Sequence, residues 1–279
     1  MPVMYQEVLE YTKDTYKLIL DGTVGHGGHS KLLLEKNPSL SIIAVDRDPN
    51  IILIAQKNLE DYKNRVEFVR ESYGELEDIL KERKVDMFLL DLGVNMEHFK
   101  DASRWFSIKK DGPLDMRFDT NQKITALYIL KNYTQSKLEN IFEKWWDFKW
   151  RLLQDIVRAI IKWRHKLETT FDLKKILKDI KLSDKKIAVV FQSLRIEVNQ
   201  ELEQLEKFLS KFENYLNNWW RCLIITYHSI EDRIVKNKFK ELDKHWFKNL
   251  TKKVIFPTLE EIENNKASRS AKLRIIEKI

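Results

Sequence analysis

Four short apolar runs alternate with helical patterns in the first third of this chain, and this alternation limits the folds that it can adopt. The runs are LILDG (18–22), SIIAVDRD (41–48), RVEFVRES (65–72) and DMFLLDLGV (86–94). Between them, HSKLLLEKN (29–37) and PNIILIAQKNLEDY (49–62) have apolar residues at helical spacing. Continuously apolar strands that alternate with helices favour parallel pairing with helices on both faces. The sequence therefore predicts an α/β fold with a doubly wound sheet.

The pattern changes in the middle of the chain. From about residue 121 to 187 the segments are long, helical in period and rich in Lys and Trp, and the next strand-like run is IAVVF (187–191). A helical pattern (199–216), a buried strand RCLIITYHS (221–229) and an alternating terminal strand SAKLRIIEKI (270–279) follow. We therefore expect one sheet domain from residues 1–118 and 191–279, interrupted by a helical domain at 119–190.

The excess of positive charge is regional. The chain has a net charge of +7, and residues 120–190 contain 16 basic and 8 acidic side chains. A concentrated basic surplus favours a polyanionic partner such as a nucleic acid. The helical domain is therefore the expected site of contact with such a partner.

Cysteine usage and the N-terminus indicate the compartment. Cys222 is the one cysteine, so no intramolecular disulfide and no thiol metal cluster can form. The start MPVMYQEVLEY lacks the basic and apolar regions of a signal peptide, and no segment approaches ~20 consecutive apolar residues. None of the six histidines has metal-ligand spacing on a predicted helix. We expect a soluble cytoplasmic protein that uses neither a membrane nor a metal.

A glycine-rich loop follows the first predicted strand. DGTVGHGGHS (21–30) contains four of the seven glycines, Gly22, Gly25, Gly27 and Gly28. Such a loop lies at the carboxyl edge of the sheet, where ligands of these folds bind, and glycines let the backbone approach a ligand closely. One tight turn needs fewer glycines than four, so we predict a small-molecule site here.

Three polar residues restrict the ligand. Ser30 stands where a dinucleotide fingerprint beginning at Gly25 requires glycine, which disfavours a nucleotide-dependent oxidoreductase. Asp21 directly before the loop would repel a pyrophosphate and attract a cation. Asp46, about 20 residues after the loop, is where an acid accepts hydrogen bonds from a ribose diol, although it could instead cap the helix that starts near Pro49. A positively charged adenosine such as S-adenosylmethionine satisfies all three observations.

Specific sequence blocks resemble the bacterial RsmH (MraW) family. The blocks are PVMYQEVL, DGTVGHGGHS, AVDRDP, LLDLGV, WFSIKKDGPLDMRFD, FQSLRIEVNQELEQLE, YHSIEDRIVK and SRSAKLRIIEK, in order along nearly the whole chain. The resemblance implies a class I (Rossmann-like) methyltransferase with an inserted helical domain. It also implies methyl transfer from S-adenosylmethionine to the exocyclic N4 of a cytosine in the decoding centre of small-subunit (16S) ribosomal RNA.

The resemblance also assigns cofactor contacts. It places Gly27, Gly28 and His29 in the cofactor loop, makes Asp46 the acid that binds ribose, and puts Tyr73 where a Phe usually lies beside the adenine. Asp91 matches a cofactor contact near the transferred methyl. The chain departs from the family in DLGVNMEH, where Asn95 replaces a serine and His98 replaces a contacting glutamine, and in WWDFKW and KKIAVV, which replace polar runs on the expected RNA side.

Three motifs are candidates for the chemistry. The exocyclic amine of cytosine is a poor nucleophile, so we expect the loop from Asp91 to Asn95 to orient it with carbonyl and amide acceptors. In DGPLDMRFD, Asp115 and Arg117 either lock a tight turn as an ion pair or line the active site. In HSIEDR, His228 is expected to line the site or fix a loop, because His and Ser adjacent on a strand end cannot form a hydrolytic triad alone.

Basic side chains are candidates for RNA contact. We expect Arg151, Arg158 and Lys162 on one face of the helix at 151–163 to meet phosphates, although such a face is often only solvated. In SRSAKLR, the alternation puts Lys272 and Arg274 on one strand face, with Arg269 before it. Trp145, Trp146, Trp150 and Trp163 could stack on unpaired bases or pack in the core. The alternative to an enzyme is a catalytically reduced RNA-binding assembly factor, and the sequence leaves a homodimer open.

Overall fold

The computed structural model describes residues 1–93, 110–144 and 149–279. The chain divides into two compact units. The first consists of Met1–Gly93 and Leu202–Ile279, and the second of Val94–Glu201. Asn95, His98, Trp145 and Trp146 lie outside the described residues.

The first unit is built on a seven-stranded sheet. Its strands are β1 (Leu18–Asp21), β2 (Ser41–Asp46), β3 (Val66–Arg70), β4 (Val85–Asp91), β5 (Leu216–Thr226), β6 (Phe247–Asn249) and β7 (Lys272–Lys278). The spatial order is β3-β2-β1-β4-β5-β7-β6. Strands β1 to β5 pair in parallel, and β7 is antiparallel to both β5 and β6. The predicted doubly wound sheet is confirmed, and the short edge strand β6 was not foreseen.

Helices cover both faces of this sheet. Those of the first unit are α1 (Tyr5–Glu10), α2 (Gly28–Lys36), α3 (Pro49–Asn58), α4 (Leu76–Leu80), α10 (Glu201–Tyr215), α11 (Ser229–Leu242) and α12 (Leu259–Asn264). The second unit contains α5 (Ala126–Asn132), α6 (Gln135–Glu143), α7 (Trp150–Trp163), α8 (Thr170–Asp179) and α9 (Asp184–Asn199). Alternate residues of β1 enter different cores: Ile19 packs with residues of α1, α2 and α3, and Leu20 packs with residues of α4, α10 and α11. Full burial on both sides explains why the central strands are apolar throughout.

The described part of the second unit is helical, and one sequence expectation about it was wrong. The run IAVVF, expected as a strand, lies inside α9. Ile187, Val190, Phe191 and Leu194 of this helix are buried, and their spacing of three and four residues is that of a helix face. Four of the five residues in this run are β-branched or aromatic and favour a strand locally, but the extension of the buried positions to a two-turn stripe favours the helix.

The boundaries of the second unit lie outside the expected 119–190. The segment before residue 119 is held by hydrogen bonds inside this unit, since the Thr170 N–H donates to the Gly112 carbonyl over 2.9 Å. The side-chain amide of Asn199 also donates to the Met116 carbonyl over 2.8 Å. Because α9 continues without a break past residue 190, its whole length belongs to the same unit.

Candidate active site

The order of the strands reverses between β1 and β4, and two aspartates lie where these strands end. In open α/β sheets, ligands bind outside the carboxyl ends of the strands at such a reversal. Asp21 is the last residue of β1, and Asp91 is the last of β4. The two strand ends are joined directly: Gly22 N–H donates to the Leu89 carbonyl over 2.9 Å, and Asp91 N–H donates to Thr23 Oγ1 over 2.6 Å.

Glycine is required at two positions of the glycine-rich loop, at Gly27 by the backbone conformation and at Gly22 by the space available. Gly27 caps α2 at a φ of +82°, in the left-handed region, and a Cβ there would lie 2.9 Å from Leu59 Cδ1. At Gly22, an added Cβ would overlap Leu90 Cδ2 and lie 3.0 Å from the Cβ of Tyr73. The loop therefore turns tightly into α2 while staying close to the neighbouring strand ends.

The carboxylate of Asp21 is buried against residues of this loop and of α2. Its side chain is 2% exposed, and it accepts from Ser30 Oγ over 2.7 Å and from Thr23 N–H over 3.3 Å. Burial raises the pKa of Asp21 to about 6, and the Ser30 hydrogen bond opposes that rise. The hydrogen bonds of Asp21 turn its carboxylate toward the first turn of α2, and its contact with the cofactor stays a prediction.

Asp46, by contrast, stands beside the loop at the end of β2. Its Oδ2 accepts from Gly25 N–H over 3.3 Å and its Oδ1 from Asp48 N–H over 3.0 Å. The helix α3 is capped by Asp48, whose carboxylate accepts from Asn50 N–H over 2.9 Å. The alternative account of Asp46 as the cap of α3 is therefore wrong. Asp46 keeps partial exposure next to the glycine loop.

Asp91 belongs to a chain of polar contacts at the end of β4. Tyr227, which follows β5, donates its phenol hydrogen to Asp91 Oδ1 over 2.8 Å. The other oxygen, Oδ2, lies 3.6 Å from Nε2 of His29 on α2. His29 is 8% exposed, and within the described residues its Nε2 has no hydrogen-bond partner. A buried polar atom of this kind is where a ligand group or water is expected.

His228 fixes a loop, which is one of the two roles expected for it. It caps α11 through Nδ1, which accepts from Glu231 N–H over 3.3 Å, and its Nε2 lies 2.9 Å from Glu231 Oε1. The other carboxylate oxygen of Glu231 accepts from the N–H groups of Tyr227 and His228. This reciprocal capping box orders the turn from β5 into α11.

Asp115 and Arg117 form a local ion pair inside the second unit. Nε and Nη2 of Arg117 donate to the two oxygens of Asp115 over 2.8 and 2.7 Å. Nη1 of Arg117 donates to the carbonyls of Thr120 and Gln122. A guanidinium with these four bonds serves to lock a turn, which matches the first of the two accounts given to this motif.

The basic residues of α7 are exposed, as the amphipathic pattern predicted. Arg151, Arg158 and Lys162 are exposed, while Ile156 and Ile160 on the opposite side are buried. A groove beside α7 is lined by Asp155, Arg158, Ala159, Lys162, Trp163, Asp179, Ile180 and Lys181. Lys162 Nζ lies 5.3 Å from the centroid of the Trp163 ring. Trp150 is 62% exposed.

The basic residues at the C-terminus divide into two groups. Arg269 is exposed. Arg274 is 5% exposed and donates to Asp232 Oδ1 over 2.7 Å, while Lys272 Nζ lies 3.4 Å from Asp232 Oδ2. Arg274 was a candidate for RNA contact, but α11 packs over its face of β7 and supplies Asp232 as its partner acid.

Three contributors to this sheet edge were missed in the sequence. Thr23 accepts from Asp91, Ser30 donates to Asp21, and Tyr227 donates to Asp91. The position of Tyr227 beside the HSIEDR motif was the one available signal.

Within residues 1–93, 110–144 and 149–279, no three His, Cys, Asp or Glu side chains are placed to hold a metal ion. The helices in these ranges include none with the length and apolar character to cross a membrane.

Comparison with known proteins connects this site to a family. The model of the MraW methylase family matches residues 1–279. The ribosomal RNA small subunit methyltransferase H of Petrotoga mobilis is 41% identical, over 98% of this chain and 99% of its own length. The proteins of the same name from Sulfurihydrogenibium azorense and Kosmotoga olearia are 39% and 38% identical, over 99% of this chain and 98% and 96% of their lengths. The seven-stranded sheet, with its antiparallel β7, is the class I methyltransferase fold that the resemblance implied. The chain belongs to the MraW methylase family.

Proposed function

We propose that this protein transfers a methyl group from S-adenosylmethionine to the exocyclic N4 of a cytosine in the decoding centre of small-subunit ribosomal RNA. Relatives that match nearly the whole chain carry the name ribosomal RNA small subunit methyltransferase H. The base and the atom that receives the methyl follow from the sequence blocks that resemble the family. Because small subunits are assembled in the cytoplasm, we place the activity there.

The observation that carries the proposal is the meeting of the glycine loop with Asp46. The contact between Gly25 N–H and Asp46 Oδ2 spans 21 residues of sequence, and Gly27 leaves the loop without a side chain at its left-handed turn. An acid beside a glycine loop fits a ribose diol next to close-approaching backbone. The unsatisfied Nε2 of His29, between the loop and Asp91, fits a further polar group of the same ligand.

The chemistry requires the target nitrogen to be held in line with the methyl group. When bound, S-adenosylmethionine supplies an electrophilic methyl group on a sulfonium. The lone pair of the cytosine amine is delocalised into the ring, so acceptors must draw density onto the nitrogen and a proton must leave during or after transfer. In this proposal Asp91 lies near the transferred methyl, and the amide of Asn95 orients the amine.

The second unit supplies the attraction for RNA in this proposal. Arg151, Arg158 and Lys162 form an exposed basic face on α7. Phosphate contacts of this kind supply affinity without sequence preference. Selection of one cytosine then falls to the sheet edge and to the fold of the ribosomal RNA.

The direct test is methyl transfer to small ribosomal subunits that lack the modification. Tritium from labelled S-adenosylmethionine should enter the ribosomal RNA, and nuclease digestion should yield N4-methylcytidine. Subunits that already carry the modification are the matched control and should accept no label. Label in another nucleoside would contradict the proposed target while leaving the enzyme class intact.

A second outcome separates the enzyme from an assembly factor. Calorimetry should show binding of S-adenosylmethionine by the same preparation. Binding without transfer to any form of the subunit would favour a catalytically reduced RNA-binding assembly factor that retains the fold.

A further inference from the structure

The YHSIEDR segment contains a buried contact to which neither the sequence analysis nor the family assignment gives a role. Tyr227 stands between the end of β5 and the start of α11, and its phenol donates to Asp91 Oδ1 over 2.8 Å. The two residues are 136 positions apart in the chain. A hydrogen bond to an ionised carboxylate is about twice as strong as a neutral one. The contact is therefore strong enough to fix one orientation of the Asp91 side chain.

The phenol is kept in the donating state. Burial, and next the negative charge of Asp91, raise the pKa of Tyr227 well above its ordinary value. The hydroxyl thus remains protonated throughout the neutral range. With Oδ1 of Asp91 held by this donor, the carboxylate presents Oδ2 toward His29 Nε2 on α2, 3.6 Å away.

The backbone of Tyr227 is itself held in place. Its N–H donates to Glu231 Oε2 over 3.0 Å, and the same oxygen accepts from His228 N–H over 3.3 Å. Glu231 is 3% exposed, so these bonds are shielded from water. The capping box at the start of α11 therefore fixes the residue from which the phenol projects.

The ring of Tyr227 also supports the turn that follows Asp91. A Cβ added at Gly93 would lie 2.8 Å from Tyr227 Cε2 and 3.0 Å from Cζ. Gly93 does not have the positive φ of Gly25 and Gly27, so space and not backbone conformation requires glycine here. The ring and the hydroxyl of one side chain thus set both the Asp91 carboxylate and the Gly93 backbone.

We propose that Tyr227 is a positioning residue for methyl transfer, which acts through Asp91 and Gly93 without touching the reacting atoms. This inference rests on the proposed function. It also assigns a role to the YHSIEDR motif. His228 and Glu231 order the turn after β5, and Tyr227, held by that turn, orients Asp91 at the end of β4. The amine of the substrate then meets an Asp91 that has one orientation.

The first test removes only the hydroxyl. Tyr227→Phe keeps the ring under Gly93, so we expect an unchanged melting temperature within a few degrees and a fall of about 10- to 100-fold in kcat, the effect of losing a hydrogen bond to a charged group. The KM for S-adenosylmethionine should change less than kcat, because the site itself remains formed. Tyr62→Phe is the matched control: the Tyr62 hydroxyl lies 3.4 Å from exposed Glu35, and its loss should leave kcat unchanged.

A double-mutant cycle distinguishes positioning from a general structural effect. If Tyr227 acts through Asp91, Tyr227→Phe should have little further effect on kcat in an Asp91→Asn background. Gly93→Ala should lower kcat in the wild-type background, because its methyl displaces the ring. Its effect should shrink when Tyr227→Ala has already removed that ring.

Separate results overturn this role and the proposed function. A wild-type protein that transfers no methyl contradicts the proposed function, and this role with it. If the wild-type protein is active, a Tyr227→Phe variant with wild-type kcat overturns the positioning role alone. Penalties for Tyr227→Phe and Asp91→Asn that multiply also overturn it, since they would show that the two residues act independently.

Discussion

Polar residues at the carboxyl ends of the strands in the first unit are organised differently from those on α7 of the second unit. At the sheet edge of the first unit, hydrogen bonds join side chains that are distant in sequence, as between Gly25 and Asp46 and between Tyr227 and Asp91. On α7 of the second unit, the charged residues Arg151, Asp155, Arg158 and Lys162 are instead exposed. The first arrangement fixes atoms in space, and the second presents charge to solvent.

This difference matches the demands of two kinds of ligand. A small molecule whose methyl must be aligned needs groups that are held by packing and hydrogen bonds before it binds. A polyanion gains affinity from exposed cations that need no single geometry, and that affinity falls with salt. We therefore expect substitutions at the sheet edge to affect cofactor binding and turnover, and substitutions on α7 to affect RNA affinity and its salt dependence.

We expect the largest effect for a substitution of Asp46, on the affinity for S-adenosylmethionine. Asp46→Asn keeps the size of the side chain and one acceptor but removes the charge beside the glycine loop. Because hydrogen bonds to a charged group contribute about 1.5–3 kcal/mol each, we expect S-adenosylmethionine to bind about 100-fold more weakly in calorimetry. Asp61→Asn, at an exposed acid, is the control and should bind as the wild type does. Equal affinities for all three proteins would remove Asp46 from the binding site.

Asp21 extends this comparison to pH, because it is buried whereas Asp155, the acid of α7, is exposed. Its pKa rises from 3.8 to about 6 on folding, so between these values the folded protein binds more protons than the unfolded chain. The free energy of unfolding should therefore fall as pH rises through this window. Asp21→Asn lacks this loss, so its stability relative to wild type should increase by roughly 2 to 3 kcal/mol from pH 4 to pH 7.

Urea unfolding followed by tryptophan fluorescence measures this difference at each pH. Asp155→Asn, at an exposed acid of α7, is the comparison variant in the second unit. Its stability relative to wild type should stay nearly constant over the same range. A constant difference for Asp21→Asn as well would show that the Asp21 carboxylate is not penalised by burial.

Local patterns predicted the sheet, but they could not predict the partners at its edge. Runs such as SIIAVD are apolar because both faces of the strand are buried, and this property is visible in the sequence. The proximity of the glycine loop and Asp46 could be predicted, because both follow parallel strands and therefore lie at the carboxyl edge of the sheet. IAVVF was misassigned, because a five-residue apolar run does not distinguish a strand from one turn of a buried helix.

The contacts that could not be predicted are those between side chains far apart in the sequence. A tyrosine directly after β5 has the same appearance as a core residue, and the position of Tyr227 beside HSIEDR did not identify Asp91 as the partner of its hydroxyl. Arg274 was predicted to contact RNA, because the alternation of a strand does not reveal that α11 covers this side chain. Only the paired elements decide whether a charged residue faces water or a partner.

We expect the smallest effect on α7, where several exposed cations would share the proposed contact with RNA. Arg158→Ala with Lys162→Ala removes two exposed charges from the groove that also contains Trp163. We expect affinity for small-subunit ribosomal RNA to fall about 10-fold at about 0.15 M salt. The slope of log affinity against log salt should decrease by about 1.4, from roughly 0.7 for each phosphate contact to a single strand.

The control for this prediction removes the same charge from another helix of the second unit. Lys185→Ala with Lys186→Ala changes two residues of α9 that do not line the groove. If RNA lies along α7, this pair should weaken binding much less than the first, and neither pair should alter the affinity for S-adenosylmethionine. Equal losses for the two pairs would mean that net charge alone attracts the RNA. The basic face of α7 would then act in the same way as any other positive surface of the protein.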